Sequence, residues 1–306
     1  MQNIFNRLLA QKPYLISDGA LATNLFAMGL STERAPELWN SEHPEKIAKL
    51  ARRFIEAGSD IVLTNSFGAN AYRLKHCQAE TRVAELNIAA ATILKQVVIE
   101  YPHDIVIAGS IGPSGEIMSP VGNLSYNDAY AAFKQQAQAL QQGGVDILWI
   151  ETMSDTQELK AAYEAAICTG LPVVYTMSMD TNGHSRTGTS PSELINLNQQ
   201  LSTPSDACGI NCGHSPSATV TSVINLKKNI SINNNPALIA KTNCGIPKYC
   251  NNKLVYDESA QSMASYAISA FDAGATIIGG CCGTTPEHIA AIKTALSTHV
   301  KQAFTD

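Results

Sequence analysis

Asp272-Ala273-Gly274-Ala275-Thr276-Ile277-Ile278-Gly279-Gly280-Cys281 runs a helix end, a glycine and a strand together, and Cys282-Gly283-Thr284-Thr285-Pro286-Glu287-His288 carries the chain into the next helix. The short β-branched run Ala275-Thr276-Ile277-Ile278 reads as a buried strand. Thr284 followed three residues later by Glu287, with Pro286 between them, is a helix-opening signature, and Ile289, Ile292 and Leu296 then recur at helical spacing. The same layout appears in Glu56-Ala57-Gly58-Ser59-Asp60-Ile61-Val62-Leu63-Thr64-Asn65 and in Gln142-Gly143-Gly144-Val145-Asp146-Ile147-Leu148-Trp149-Ile150-Glu151. In each, the third residue is a glycine suited to the left-handed cap that ends a helix. The tenth, Asn65, Glu151 or Cys281, falls at the carboxyl end of the strand.

Five further apolar runs complete the pattern: Tyr14-Leu15-Ile16-Ser17, Ile105-Val106-Ile107-Ala108, Val173-Val174-Tyr175-Thr176-Met177, Ala207-Cys208-Gly209-Ile210 and Ala237-Leu238-Ile239-Ala240. Helical patterns separate them, such as 45–57 (Ile47, Leu50, Ala51, Phe54, Ile55) and 257–273 (Met263, Tyr266, Ala267, Ala270, Phe271). Eight strands alternating with helices along 306 residues predict an α/β protein, a (β/α)₈ TIM barrel, with residues 1–306 forming one domain. A doubly wound open sheet is the competing fold, but no G-x-G-x-x-G follows the first strand. Long connections at 112–127 and 180–191 follow strand ends, the side of a barrel on which active sites are built. The Asn-rich piece at 229–236 precedes a strand and is expected as a surface turn on the opposite face.

Composition narrows the function classes. A net charge of −5 with 15% charged residues offers no basic face for nucleic acid or an anionic membrane. No apolar run approaches the roughly 20 residues of a membrane span, and residues 1–13 lack the basic-then-apolar order of a signal peptide. A cytoplasmic protein is expected. There, eight cysteines are thiols or metal ligands rather than a disulfide framework.

At the strand ends stand Asp18, Asn65, Glu151, Cys212, Asn243, Cys281 and Cys282, which a barrel would gather on one rim. Adjacent cysteines seldom pair with each other but can share a soft metal if a third thiolate joins them, and Gly209-Ile210-Asn211-Cys212-Gly213-His214 offers one. Three thiolates suit a four-coordinate Zn²⁺ with its fourth position open, the mark of a catalytic site. Such a centre would hold a substrate thiol as its thiolate. The rival readings are a structural zinc completed by Cys244 or Cys208, and a zinc or thiol redox protein without catalysis. Cys77, Cys168, Cys208, Cys244 and Cys250 otherwise read as small buried hydrophobes. Asp18 could instead cap the following helix. Glu151, ending an apolar strand, needs a cationic partner. His214 and His288 are left out of the metal site.

The motifs Gly279-Gly280-Cys281-Cys282-Gly283-Thr284-Thr285-Pro286, Asn211-Cys212-Gly213 and Asp18-Gly19-Ala20 resemble the homocysteine S-methyltransferase family along essentially the whole chain. The stretches Glu37-Leu38-Trp39-Asn40, His43-Pro44-Glu45, Thr64-Asn65-Ser66-Phe67-Gly68, Ile150-Glu151-Thr152-Met153 and Asn243-Cys244-Gly245-Ile246-Pro247 look most like the bacterial betaine–homocysteine methyltransferases. The resemblance implies zinc on Cys212, Cys281 and Cys282, homocysteine's amino end at Asp18, Gly19 and Glu151 with Thr64 beside it, and methionine as product. The donor it favours is a small onium compound, glycine betaine first, ahead of dimethylsulfoniopropionate, S-methylmethionine or a corrinoid partner protein. A methyl-covered cation is best held by aromatic faces, so Trp39, Phe67, Tyr72 and Tyr126 are the donor-site candidates. The sequence stops just after its eighth helix pattern, so folate, corrinoid and activation modules are not expected within it, nor is the arm by which animal betaine enzymes tetramerise. A homo-oligomer of another kind stays among the expectations.

Overall fold

A computed structural model describes residues 3–179, 183–231, 235–250 and 253–303. Seven strands follow in chain order: β1 (Leu15–Ile16), β2 (Ile61–Leu63), β3 (Val106–Ile111), β4 (Ile147–Met153), β5 (Val173–Met177), β6 (Ala207–Cys212) and β7 (Ala237–Thr242). A small antiparallel hairpin, β8 (Lys248–Cys250) and β9 (Lys253–Val255), precedes the last barrel strand, β10 (Ala275–Gly280). All ladders of the main sheet are parallel, in the order β1-β10-β7-β6-β5-β4-β3-β2. The ring closes where β1 meets β2. A bridge joins Ser17 to Ile61, Asp18 N–H donates to the Ile61 carbonyl at 3.0 Å, and Asp60 N–H donates to the Ile16 carbonyl at 2.7 Å. The chain is therefore the TIM barrel expected, a single domain.

Side-chain alternation along the strands builds two apolar layers. Leu15, Ile61, Leu63, Val106, Ala108, Ile147, Trp149, Val174, Ile239 and Ile277 fill the barrel interior. Their outward neighbours, among them Ile16, Val62, Ile107, Leu148, Tyr175, Ile210, Leu238 and Ile278, pack against the helices. The N-terminal helix Ile4–Gln11, started by the Asn3 side chain accepting from Phe5 N–H, adds Phe5 and Leu8 to the interior cluster. It stops up the amino-terminal end of the barrel, where the strands begin.

The glycines that end helices Pro44–Glu56, Tyr126–Gly143 and Ala260–Asp272 do take the left-handed conformation, with φ of +104° at Gly58, +91° at Gly144 and +103° at Gly274. Parts of two sequence expectations, residues 180–182 of the long loop and 232–234 of the Asn-rich piece, lie outside the described residues. Among the described residues no helix is long and apolar enough to cross a membrane.

Candidate functional site

Register assembles the cysteines. β6 and β10 flank β7, with Cys212 and Gly280 both opposite Thr242, so the ends of the three strands meet. Cys281 N–H then donates to the Thr242 carbonyl at 2.6 Å, and Cys282 N–H to Asn243 Oδ1 at 3.0 Å. The Asn243 amide also donates to the Gly213 carbonyl at 2.7 Å, tying the Cys212 segment to the Cys281–Cys282 turn. The two glycines before the pair allow this approach: a Cβ on Gly280 would lie 2.2 Å from the Thr284 side chain, and one on Gly279 would lie 2.1 Å from Ser17 Oγ.

The three sulfurs lie within 4.8 Å of one another. Each thiol is held above the ordinary range. Cys281 rises most, first through its hydrogen bond with Cys212, with burial and the Cys212 and Glu151 charges adding to the shift. At Cys212 the bond with Cys281 works downward, but the bond with Cys282 and burial outweigh it and bring the thiol to about 11. At Cys282 the bond with Cys212 also works downward, against the Cys281 bond, the Cys281 charge and burial, and the thiol is pushed up to about 12. Three crowded soft donors that resist ionising alone are a set that a divalent cation would relieve. The donor set fits zinc.

Asn211 stands behind the cluster. Its Nδ2 donates to Thr152 Oγ1 at 2.6 Å and lies 3.7 Å from Cys281 Sγ, while its Oδ1 accepts from Thr152 N–H and Thr176 Oγ1, both at 2.7 Å. Thr152 and Cys212 are both in the left-handed region at φ +63°, a strained conformation for a side-chain-bearing residue. Asn211 and the strand ends hold that strain in place.

A cavity of about 420 Å³ opens onto the triad. Gly19, Thr64 and Glu151 border it with Cys212, Cys281 and Cys282. Ser110 Oγ donates to Glu151 Oε1 at 2.5 Å, and Thr64 Oγ1 accepts from Ser110 N–H at 3.0 Å. Asp18 lies just behind the wall. It accepts from Leu63 N–H at 2.8 Å and pairs with Lys241 Nζ at 3.3 Å, both side chains 2% exposed. Burial pushes its carboxyl up to about 6, against the pull of Lys241 and the Leu63 amide. It does not cap the following helix, whose N-cap is Ala20.

Of the aromatic candidates, Phe67 borders the cavity. The other three do not. Trp39 is buried on helix Trp39–Glu42, edge-on to His43 with Lys46 Nζ 4.1 Å from its ring centroid. Tyr72 packs against the helical layer, and Tyr126 opens helix Tyr126–Gly143 at 38% exposure. Among the described residues the rival third ligands are not drawn in either. Cys208 belongs to the outward apolar layer, and Cys244 donates to the Glu258 carbonyl at 3.2 Å with His288 beside it.

The structure also adds residues to which the sequence reading gave no role of their own. Ser110 and Lys241 border the cavity; each continues the inward-facing alternation of its strand, after Ala108 and after Ile239. Glu37, 4% exposed, accepts from Gly68 N–H at 2.6 Å, and burial pushes its carboxyl up. Arg73 donates through Nε to the Pro113 carbonyl at 2.7 Å and holds its guanidinium 5.3 Å from the Phe67 ring centroid.

Fold and site together define a TIM-barrel protein with a three-cysteine cluster and an acid-lined cavity at the carboxyl ends of its strands. The chain belongs to the homocysteine S-methyltransferase family, whose model matches residues 15–296. It is similar to the methionine synthase of Mycobacterium leprae (strain TN), 29% identical over 308 residues, which cover 94% of this chain and 25% of that protein. The Mycobacterium tuberculosis (strain ATCC 25618 / H37Rv) methionine synthase is 28% identical, over 92% of this chain and 24% of its own length. The chain thus spans about a quarter of the length of the curated relatives it matches. Among solved structures, the homocysteine methyltransferase MmuM of Escherichia coli in its apo form superposes with a TM-score of 0.75 at 25% identity, covering 96% of this chain and all of the other, 100%.

Proposed function

We propose that this protein transfers a methyl group from a small onium donor to the sulfur of homocysteine, giving methionine. Three thiols converging on a cavity that also presents a buried carboxylate, in a chain of this family, are the observation that carries the reading.

Cys212, Cys281 and Cys282 would hold zinc, which when bound keeps a substrate thiol deprotonated at neutral pH. Glu151, fixed by the Ser110 hydroxyl, holds the substrate's α-ammonium, with Gly19 on the same cavity wall. With the sulfur's direction set, it attacks the donor methyl carbon in line. The new S–CH₃ bond takes the sulfur's electron pair as the methyl–onium bond breaks, and the donor leaves as a neutral amine or sulfide. No proton moves at the methyl carbon, so no general base is required there. The residues contribute orientation and exclusion of water.

The donor reading rests on the wall around Phe67. The Phe67 ring, one face of which carries the Arg73 guanidinium, and the buried Glu37 carboxylate suit a methylated cation on the ring's remaining surface. Arg73 on the same wall suits a carboxylate, and together they describe a zwitterion such as glycine betaine. The test is methionine production from homocysteine with glycine betaine, dimethylsulfoniopropionate and S-methylmethionine at equal concentrations. Glycine betaine is expected to be fastest. Turnover with S-methylmethionine alone overturns the donor assignment, and no turnover with any of them overturns an onium donor.

A further inference from the structure

A built-in cation sits among the acids of the site. Lys241 follows Ile239 by two residues on β7, so its side chain faces the barrel interior, where it is 2% exposed and borders the cavity. Its ammonium lies 5.1 Å from the Trp149 ring centroid and 3.3 Å from Asp18. An ammonium has three N–H donors. Among the described residues, Asp18 is the only acceptor that Lys241 reaches. A buried charge with open donors beside a cavity is complete only when something in the cavity accepts from it.

The neighbouring acids show what that acceptor is. Asp18 is already engaged by Lys241 and by the Leu63 amide. Glu151 has one oxygen on Ser110, and its other oxygen accepts from no described residue. The site therefore offers one acid open to a ligand and one cation open to a ligand. An α-amino acid brings the complementary pair, an ammonium for Glu151 and a carboxylate for Lys241.

We propose that Lys241 is a specificity-determining residue that binds the α-carboxylate of the thiol substrate, so that the site selects a thiol carrying both amino and carboxylate groups. This rests on the methyl-transfer reading insofar as it takes that thiol to be homocysteine.

The test measures binding rather than turnover. Homocysteine and 3-aminopropane-1-thiol, which keeps the thiol and amine but lacks the carboxylate, are titrated calorimetrically into the zinc-loaded protein and into K241Q. In K241Q the Asp18 carboxyl can take up a proton instead of remaining a bare buried charge, so the barrel is expected to fold. The double variant D18N/K241Q removes both charges should it not. The wild type is expected to prefer homocysteine, and the preference to collapse by roughly ten- to a hundredfold in either variant, with affinity for the amine altered far less. Equal losses for both thiols, or an unchanged preference, overturn the proposal. So does a wild type that does not distinguish them. Because the readout is affinity, homocysteine that binds with this selectivity but is never methylated defeats the methyl-transfer reading and leaves the role of Lys241 standing.

Discussion

Asn211 does three jobs with one side chain. It receives the Thr152 amide and the Thr176 hydroxyl, returns a hydrogen bond to Thr152, and lies against Cys281. Partners that aim metal ligands typically change affinity ten- to a hundredfold when removed. Asn211→Ala is therefore expected to weaken zinc binding by about that factor in a chelator competition, with the three cysteines intact; unchanged affinity would make Asn211 a support for Thr152 only. At this scale the sequence is legible unevenly. The cysteine pair announced itself through its glycine flanks, because little else requires two thiols in so open a backbone. Lys241 did not, since the apolar run before it ends at Ala240 and nothing in the run says which face continues inward. Trp39 shows the opposite ambiguity: an aromatic residue serves a helix interface as well as a cavity, and this one lies against Lys46 and His43.

At the scale of elements, the turn from β10 into helix Pro286–Ala303 depends on close packing. Gly280 has no room for a side chain beside the buried Thr284, and overpacking of this kind typically costs about 1–3 kcal/mol. Gly280→Ala should lower stability by an amount in that range in urea unfolding and should also displace Cys281, weakening metal binding. A variant as stable as the parent would show that the turn can shift freely. Seven residues separate each capping glycine from its rim residue in three βα units, and this spacing carried the strand register correctly into the structure. The hairpin of β8 and β9 was not visible beforehand. Its strands are three residues each, too short for an alternating pattern to emerge. The interior role of helix Ile4–Gln11 was equally hidden, because its apolar face looks the same whether it meets a barrel end or a neighbouring helix.

For the molecule as a whole, the buried acid behind the site links stability to pH. Asp18 is raised from 3.8 to about 6, chiefly by burial, so the folded protein holds this proton more tightly than the unfolded chain does. Between those values the unfolded state binds fewer protons, and the Asp18 contribution to stability falls as pH rises through the window. Metal-stripped Asp18→Asn should lack that decline, so that its melting temperature, relative to the parent, improves from pH 4 to pH 6; a constant difference would mean that Asp18 titrates normally. The N-terminal helix carries a different consequence. With Phe5 and Leu8 filling the amino-terminal end, the barrel is a well with one mouth. The charged groups assigned to the amino acid, Glu151 and Lys241, stand on strands, and those assigned to the methyl donor, Glu37, Phe67 and Arg73, stand on the segments that follow β1 and β2 beyond the strand ends. Under the proposed methyl transfer, traffic is then last in, first out: homocysteine enters before the donor, and the demethylated donor departs before methionine. Product-inhibition kinetics should show a compulsory order, with methionine competing against homocysteine and not against the donor.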